Sequence, residues 1–418
     1  MNTVQTMRVL LMALFAFSAM ADDPQISNVV VRQRWPWSKL VDIDYVLTAD
    51  STQHVGVAVQ AFDGDTPLAL SLHSLSGDLY SVQRGPRRIV WDPTLTTYTN
   101  NRALTKFTVQ LSVTNAATYL IVDMDTGYIT PYDCGTNLMT EATNDVYKTS
   151  KMLFRRIPAG TYTMGNVTNA VRSREVTFSK DFYIGVYEVT RSQWGKIMAV
   201  PSVTGTRAIR GPTYYDIREV LGTNAAMVDA VIGTGFDGSS AISPEWPQSS
   251  AVGNSSFIGQ LRAKTRKTWF DLPTSAQWEY ACRAGTTTDF NNGENAVTNP
   301  ATGKDMTLMT LAWYNENTPN NASIVGSKLP NAWGLYDMHG DLEEWCLDWY
   351  NDINNPTRSN FSTTAETDPV GPSSGSTRLM RGGGYASTSA NCMSYIITSR
   401  APSQTYWTLG FRVVLNIQ

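Results

Sequence analysis

The chain has 418 residues, enough for two domains, and 42% of them are hydrophobic against 17% charged, so it can bury a core and is not a disordered polymer. A net charge of −3 with scattered lysine and arginine excludes the electrostatic footprint of a nucleic-acid or anionic-membrane binder. Three histidines, His54, His73 and His339, argue against a His-rich zinc or iron site and leave little room for a Ser-His-Asp triad.

Residues 1–21 read as an export signal. Arg8 gives the positive start, Val9 to Phe17 the apolar run, and Ala19-Met20-Ala21 a small-x-small cleavage site. That run is too short to span a bilayer, and no later stretch reaches the length needed. The mature chain is expected to begin at Asp22 and to be exported, whether secreted, periplasmic or held at the cell surface.

From 22 to 117 the pattern is β. ISNVVVRQRW, LVDIDYVLTA, HVGVAVQAF, RRIVWDP and KFTVQLSVTN alternate or run apolar, with turn clusters at Asp63-Gly64-Asp65 and Asn100-Asn101 between them. This spacing predicts an antiparallel sandwich with no visible chemistry. Residues 118–149 are rich in Thr, Asn, Asp and Gly in their middle and are expected to be a connection.

The second domain, 150–418, opens with the strand-like MLFRRIPAGTYTMG and EVTFSKDFYIGVYEV. A helix follows with Thr190 as N-cap and Gln193 three residues on, and Trp194, Ile197 and Met198 share its inner face. A second helix starts at Thr274, again with a glutamine (Gln277) three on, and stops at Gly285. Between them, 199–260 is Gly, Ser, Thr and Pro-rich, with a short helical segment expected near Tyr214 to Val220. Twelve tryptophans suit a core assembled from loops and large rings. The Gly382-Gly383-Gly384 run precedes no predicted helix, so it is a weak nucleotide signal.

The stretch Asn331 to Tyr350, NAWGLYDMHGDLEEWCLDWY, sets Asp337, Asp341, Glu343 and Glu344 among aromatic rings. Carboxylates so placed must be hydrogen-bonded, paired or metal-bound, because a bare buried charge is too costly. Oxygen ligands suit a hard cation such as calcium; the alternative is an acidic turn beside a core tryptophan.

GLYDMHGDLEEWCLDWY also resembles the signature of the sulfatase-modifying factor family, whose founding member is the formylglycine-generating enzyme. RRIPAGTYTMG (155–165), REVTFSKDFYIGVYEVTRSQW (174–194), LPTSAQWEYACRAG (272–285), RLMRGGGY (378–385) and GFRVV (410–414) match in the family's order, over roughly 150–418. The resemblance implies an α+β chain: the N-terminal antiparallel β-sandwich, then a C-type-lectin-like domain with little regular secondary structure. It also implies calcium on the side chains of Asp337 and Glu344 and the carbonyls of Gly340 and Leu342.

The family's oxidase activity implies two copper-binding cysteines, five positions apart, after a Gly-Gly-Ser segment; thiolates suit cuprous copper. Counting forward from Arg381 places them at Ser387 and Cys392. Counting back from Pro402 places the second near Ser389, with Cys392 three residues beyond. Either way one ligand is serine, and the pair is incomplete. The four cysteines, Cys134, Cys282, Cys346 and Cys392, permit disulfides in an exported chain. Cys346 with Cys392 is the preferred pair because both flank the recognised C-terminal core, and free buried thiols are the alternative.

Residues 385–408, YASTSANCMSYIITSRAPSQTYWT, hold a single charge, Arg400. Met393 and Ile397 fall where many bacterial relatives carry arginines. Small polar residues mixed with Tyr and Trp are the palette of an adaptable recognition surface, and the arrangement resembles that of retroelement-diversified variable proteins. The candidate binding residues are Tyr385, Ser387, Ser389, Met393, Tyr395, Ile397, Gln404, Tyr406, Trp407 and Thr408, for a protein or glycan ligand; an ordinary Ser/Thr-rich loop is the alternative. The expected function is a calcium-stabilised ligand-binding or display domain without the two-cysteine copper site. The alternative is an oxidoreductase of the formylglycine-generating class with a rearranged site, in which Cys392 is the catalytic candidate.

Overall fold

The computed structural model describes residues 23–34, 37–96, 106–132, 144–218, 252–297, 304–318, 321–355 and 362–416. The export segment of residues 1–21 and Cys134 lie outside the described residues. No helix among those described is long and apolar enough to cross a membrane.

Seven strands build the first region: β1 (Gln25–Gln33), β2 (Val41–Thr48), β3 (Val55–Asp63), β4 (Thr66–Leu68), β5 (Leu75–Gly77), β6 (Gly85–Trp91) and β7 (Phe107–Asn115). One sheet runs β1-β2-β6-β5 and the other β4-β3-β7, all pairs antiparallel, which is the predicted sandwich. Alternation along β2 turns Val41, Ile43, Tyr45 and Leu47 inward, where they join Val55, Val57, Ile89 and Trp91 in one core.

The second region carries β8 (Tyr119–Asp123), β9 (Ile129–Tyr132), β10 (Lys151–Ile157), β11 (Gly160–Gly165), β12 (Ser173–Phe178), β13 (Phe182–Gly185), β14 (Phe270–Asp271), β15 (Glu343–Trp349), β16 (Glu366–Thr367), β17 (Arg378–Arg381), β18 (Thr398–Arg400), β19 (Leu409–Gly410) and β20 (Val414–Leu415). They form a six-stranded sheet β14-β20-β13-β10-β8-β9, a three-stranded β11-β12-β16, and a four-stranded β18-β17-β15-β19. The chain is thus α+β, with short strands held between loops.

Residues 118–132 differ from the expected connection: they form the β8–β9 hairpin at the edge of the six-stranded sheet. Tyr119, Leu120 and Val122 are buried there, and this apolar start outweighs the polar turn that follows. The two regions also share their core. Sandwich residues such as Trp91 are continuous with Leu120, Val122, Phe154, Tyr183 and Phe411. At the seam, Asp181 accepts from Ser81 Oγ at 2.6 Å and Ala159 N at 2.7 Å, with His54 Nδ1 at 3.0 Å and Arg156 at 3.2 Å. Tyr183 OH donates to Ala117 O at 2.5 Å. The sandwich is therefore fused to its neighbour by both apolar packing and buried polar bonds.

Five helices are described: α1 (Val146–Thr149), α2 (Arg191–Ile197), α3 (Tyr214–Ile217), α4 (Phe257–Thr265) and α5 (Ser275–Arg283). Both predicted capping boxes are present, Thr190 with Gln193 and Thr274 with Gln277. Helix α4 falls in the stretch expected to be irregular. Ser256 caps it by accepting from Gly259 N, and Phe257, Ile258 and Leu261 bury one side. Phe257 stacks on Trp194 at 5.4 Å and meets Phe411 edge-on at 5.1 Å. Cys282, Cys346 and Cys392 are all free and buried, so the expected Cys346–Cys392 disulfide is not formed.

Candidate functional site

Strand β15 lies inside the four-stranded sheet, antiparallel to β17 and parallel to β19. Successive side chains on a strand point to opposite faces, so its two adjacent glutamates separate. Glu344 enters the core. Its Oε1 accepts from Arg412 NH2 at 2.6 Å, and its Oε2 from Arg412 Nε and Trp278 Nε1, each at 2.7 Å. Arg412 spends its remaining donors on the carbonyls of Gly185 (3.0 Å), Val186 (3.5 Å), Tyr336 (3.0 Å) and Asp337 (3.4 Å).

Three more carboxyl groups share that interior. Asp337 and Asp341 both sit at positive φ, +56° and +52°, which turns their side chains back into the fold. Asp337 Oδ2 accepts from Gly326 N, and Asp341 Oδ1 from Ser323 N, both at 2.6 Å. Burial raises the Asp337 carboxyl to about 6. Burial and then the Asp337 charge raise Asp341 to about 7. Glu188, in the apolar segment between β13 and α2, is fully buried. Burial, then the charges of Asp341, Glu344 and Asp337, drives its carboxyl well above the usual range.

His339 faces a different neighbourhood. Asn291 N donates to its Nε2 at 3.2 Å, so Nδ1 carries the proton and donates to Cys392 O at 2.7 Å. Burial lowers its pKa to about 4. Both ring nitrogens are occupied and the ring is a neutral staple.

On the opposite face, Glu343 opens toward the C-terminal segment. Its Oε1 accepts from Thr398 Oγ1 at 2.9 Å and its Oε2 from Thr408 Oγ1 at 3.3 Å, with Arg400 at 3.7 Å. The Arg400 guanidinium lies 4.1 Å from the Tyr406 ring centre. Tyr406, Trp407 and Tyr385 follow as an edge-to-face series at 5.7 and 5.8 Å. Trp407 is 51% exposed and Tyr406 37%, so this aromatic edge is the part a ligand can reach.

The ten candidate binding residues do not form one face. Gln404, Tyr406 and Trp407 are exposed, while Tyr385, Ile397 and Thr408 are buried and brace them. Ser387, Ser389, Met393 and Tyr395 are half-buried. Met393 receives the Tyr395 hydroxyl and packs beside Phe290, and Ser394 N donates to Asp289 O, so this pair sits against the 289–290 turn. An irregular segment of 24 residues has no period that marks its buried positions, so the sequence does not distinguish its inward side chains from its surface ones.

With that geometry in place, a model of the family described as sulfatase-modifying factor enzyme 1-like domain matches residues 140–417. The chain belongs to that family. It is 27% identical over 283 residues to the formylglycine-generating enzyme of Mus musculus, covering 61% of this chain and 73% of the mouse protein. It is 31% identical over 148 residues to the formylglycine-generating enzyme of Streptomyces coelicolor, covering 34% and 45%. Among solved structures it is similar to Treponema denticola variable protein 1, at 22% identity and a TM-score of 0.44, over 63% of this chain and 95% of that one.

The residues present do not fit the family's two metals as the motifs imply. Cys392 is fully buried in a cluster with Phe290, Leu308, Leu311, Ala312 and Tyr314, and burial and then the Glu343 charge raise its thiol to about 12. A thiol so held stays protonated in the metal-free chain. Cys282, equally buried and also raised to about 12, turns to Ser394 and His339. At the expected calcium site, Gly340 and Leu342 flank Asp341 as the motif requires, yet both oxygens of Glu344 are taken by Arg412 and Trp278. No three His, Cys, Asp or Glu side chains among the described residues converge as a metal-holding group. Sequence reasoning did not single out Glu188. The signal available was one acid inside the apolar run FYIGVYEV.

Proposed function

We propose that this is an exported protein whose family domain presents a ligand-binding aromatic edge and does not perform copper-dependent cysteine oxidation. The observation that carries this reading is Cys392: the single thiol of residues 385–408 is sealed in an apolar cluster, and serines stand at the sequence positions where the motif implies the other thiol. Against it, Gly383 leaves no slack, since a Cβ there would lie 2.7 Å from the Cys392 sulfur. The exposed edge of Tyr406 and Trp407, beside the Glu343–Arg400 pair, suits a protein or glycan ligand, because rings supply contact area at small entropic cost. The signal-like residues 1–21 support export, and a mature N-terminus at Asp22 is the expected result of N-terminal sequencing.

The second reading is an oxidoreductase of the formylglycine-generating class with a rearranged site, supported by the relation to the mouse and Streptomyces enzymes. The full chain incubated with copper(I) and a cysteine-containing sulfatase peptide separates the two. The binder reading expects no aldehyde and no stoichiometric copper. Copper near one per chain, lost in Cys392→Ser, together with aldehyde formation, selects the oxidase.

A further inference from the structure

The sandwich has four edge strands, and three of them are guarded against pairing with another chain. β4 and β5 are three residues each, the first containing Pro67 and the second bonded at Leu75 O to the Lys267 ammonium of the second region. β1 is bulged between Ser27 and Val30, with Asn28 at φ +52°, and it carries Arg32. β7 has no such guard. It is nine residues, FTVQLSVTN, without charge or proline, and it runs in unbroken register along β3 from Phe107 to Asn115. No described strand pairs with its other side.

The inward row of β7 is also unfinished. Phe107, Val109, Leu111 and Val113 pack against the sandwich core, Phe107 stacking on Trp91 at 5.3 Å, yet all four are only half-buried. Val55, Val57 and Ala61 on β3, one strand further in, are buried. The core thus thins toward the β7 edge, where a further strand would cover both the apolar row and the backbone groups that point away from β3. The order of residues says which strand fits. Reversed about Leu111, β7 matches itself: Val109 falls opposite Val113, Thr108 opposite Thr114, and Gln110 opposite Ser112. Apolar residues then meet apolar ones on the core side, and polar residues meet polar ones on the solvent side.

We propose that two copies of this chain pair their β7 strands antiparallel about Leu111, joining two three-stranded sheets into one across a two-fold axis. The partner is a second copy rather than an unrelated strand because β7 matches itself on both faces, and an uncharged edge offers a foreign strand no ionic selectivity. A strand of nine residues spans about 30 Å, so the contact lies at the small end of protein interfaces and the dimer forms at micromolar rather than nanomolar concentration. Dimerisation through β7 uses no residue of segment 385–408 and is independent of what that segment binds.

The test is the mass of the full chain by sedimentation velocity across a concentration series, with two charged variants beside it. In the paired register Gln110 of each copy faces Ser112 of the other, and both are on the exposed side of the strand. Gln110→Lys with Ser112→Lys therefore sets like charges opposite one another, whereas Gln110→Lys with Ser112→Asp sets opposite charges in the same places. The expected result is a parent dimer, a like-charge variant weakened at least about tenfold in dimer affinity, and an opposite-charge variant within about threefold of the parent. A parent that stays monomeric up to about 100 µM overturns the proposal. A like-charge variant that dimerises as the parent does overturns it too, because the contact then lies elsewhere. Equal loss in both variants excludes the register and overturns it as well. Should either variant fail to fold, amide exchange of the parent decides: β7 amides better protected at about 200 µM than at about 2 µM support the pairing, and equal protection overturns it.

Discussion

On one face of β15, Glu344 is gripped at 2.6 and 2.7 Å by a guanidinium that is itself bonded to four carbonyls; on the other, Glu343 is met by two threonine hydroxyls and an arginine 3.7 Å away. The two residues are chemically identical neighbours and both are buried, yet one is locked to a fully buried guanidinium and the other meets hydroxyls and an arginine that is partly exposed. The difference teaches that strand alternation gives two adjacent acids different electrostatic settings, one in a buried ion pair and one against a partly exposed arginine. Charge on the inner face is balanced by a fully buried arginine, whereas charge on the outer face is balanced by hydroxyls and a partly exposed one.

The sharpest way to break this comparison is Arg412→Ala. It strips the partner from fully buried Glu344 and should cost about 3–5 kcal/mol, read as a lower denaturant midpoint. A loss under about 1 kcal/mol would show that the inner face is not closed. Asp348, further along β15, provides a milder test. It is buried and accepts from Ser275 N at 2.7 Å, and burial raises its carboxyl to about 6. Because the folded value lies above the ordinary 3.8, the folded state holds more protons between the two. The contribution to stability is complete below about 3.8 and is lost as pH rises through about 6. Relative to Asp348→Asn, the parent chain should gain about 1 kcal/mol between pH 7 and pH 5, measured by urea titration at each pH. A flat difference would place Asp348 outside the closed network.

The outer face should barely register in stability. Glu343→Gln should change it by less than about 1 kcal/mol, since its arginine partner is loose and partly solvated. Trp407→Ala, at an exposed ring, should fall within about 1 kcal/mol while removing the aromatic edge from any ligand. A loss of several kcal/mol in either variant would mean that the outer face is part of the core.

Much of the fold was legible where signals are local. Thr190 and Thr274 mark helix starts because capping needs residues only three apart, and the sandwich strands show because alternation is a property of adjacent residues. Helix α4 was hidden because Gly and Ser around it mask a stripe only two turns long. The β8–β9 hairpin was hidden because a polar turn divides two short apolar runs. The candidate site was half legible. The acidic motif and the aromatic segment were visible, while their division into inner and outer faces was not.

By itself the sequence determined the β-rich first region, the capped helices and the family to which residues 140–417 belong, since each depends on order along the chain. Tertiary structure alone decided that Arg412 meets Glu344, 68 residues away, and that Glu188 is fully buried with no hydrogen-bond donor on its carboxyl oxygens. It also decided that Cys392 is sealed and Trp407 is not. The reason is physical: the state of a charge or a thiol depends on what surrounds it in space, and those neighbours come from β13, α5, the 289–314 loops and the GFRVV segment, which only folding brings together.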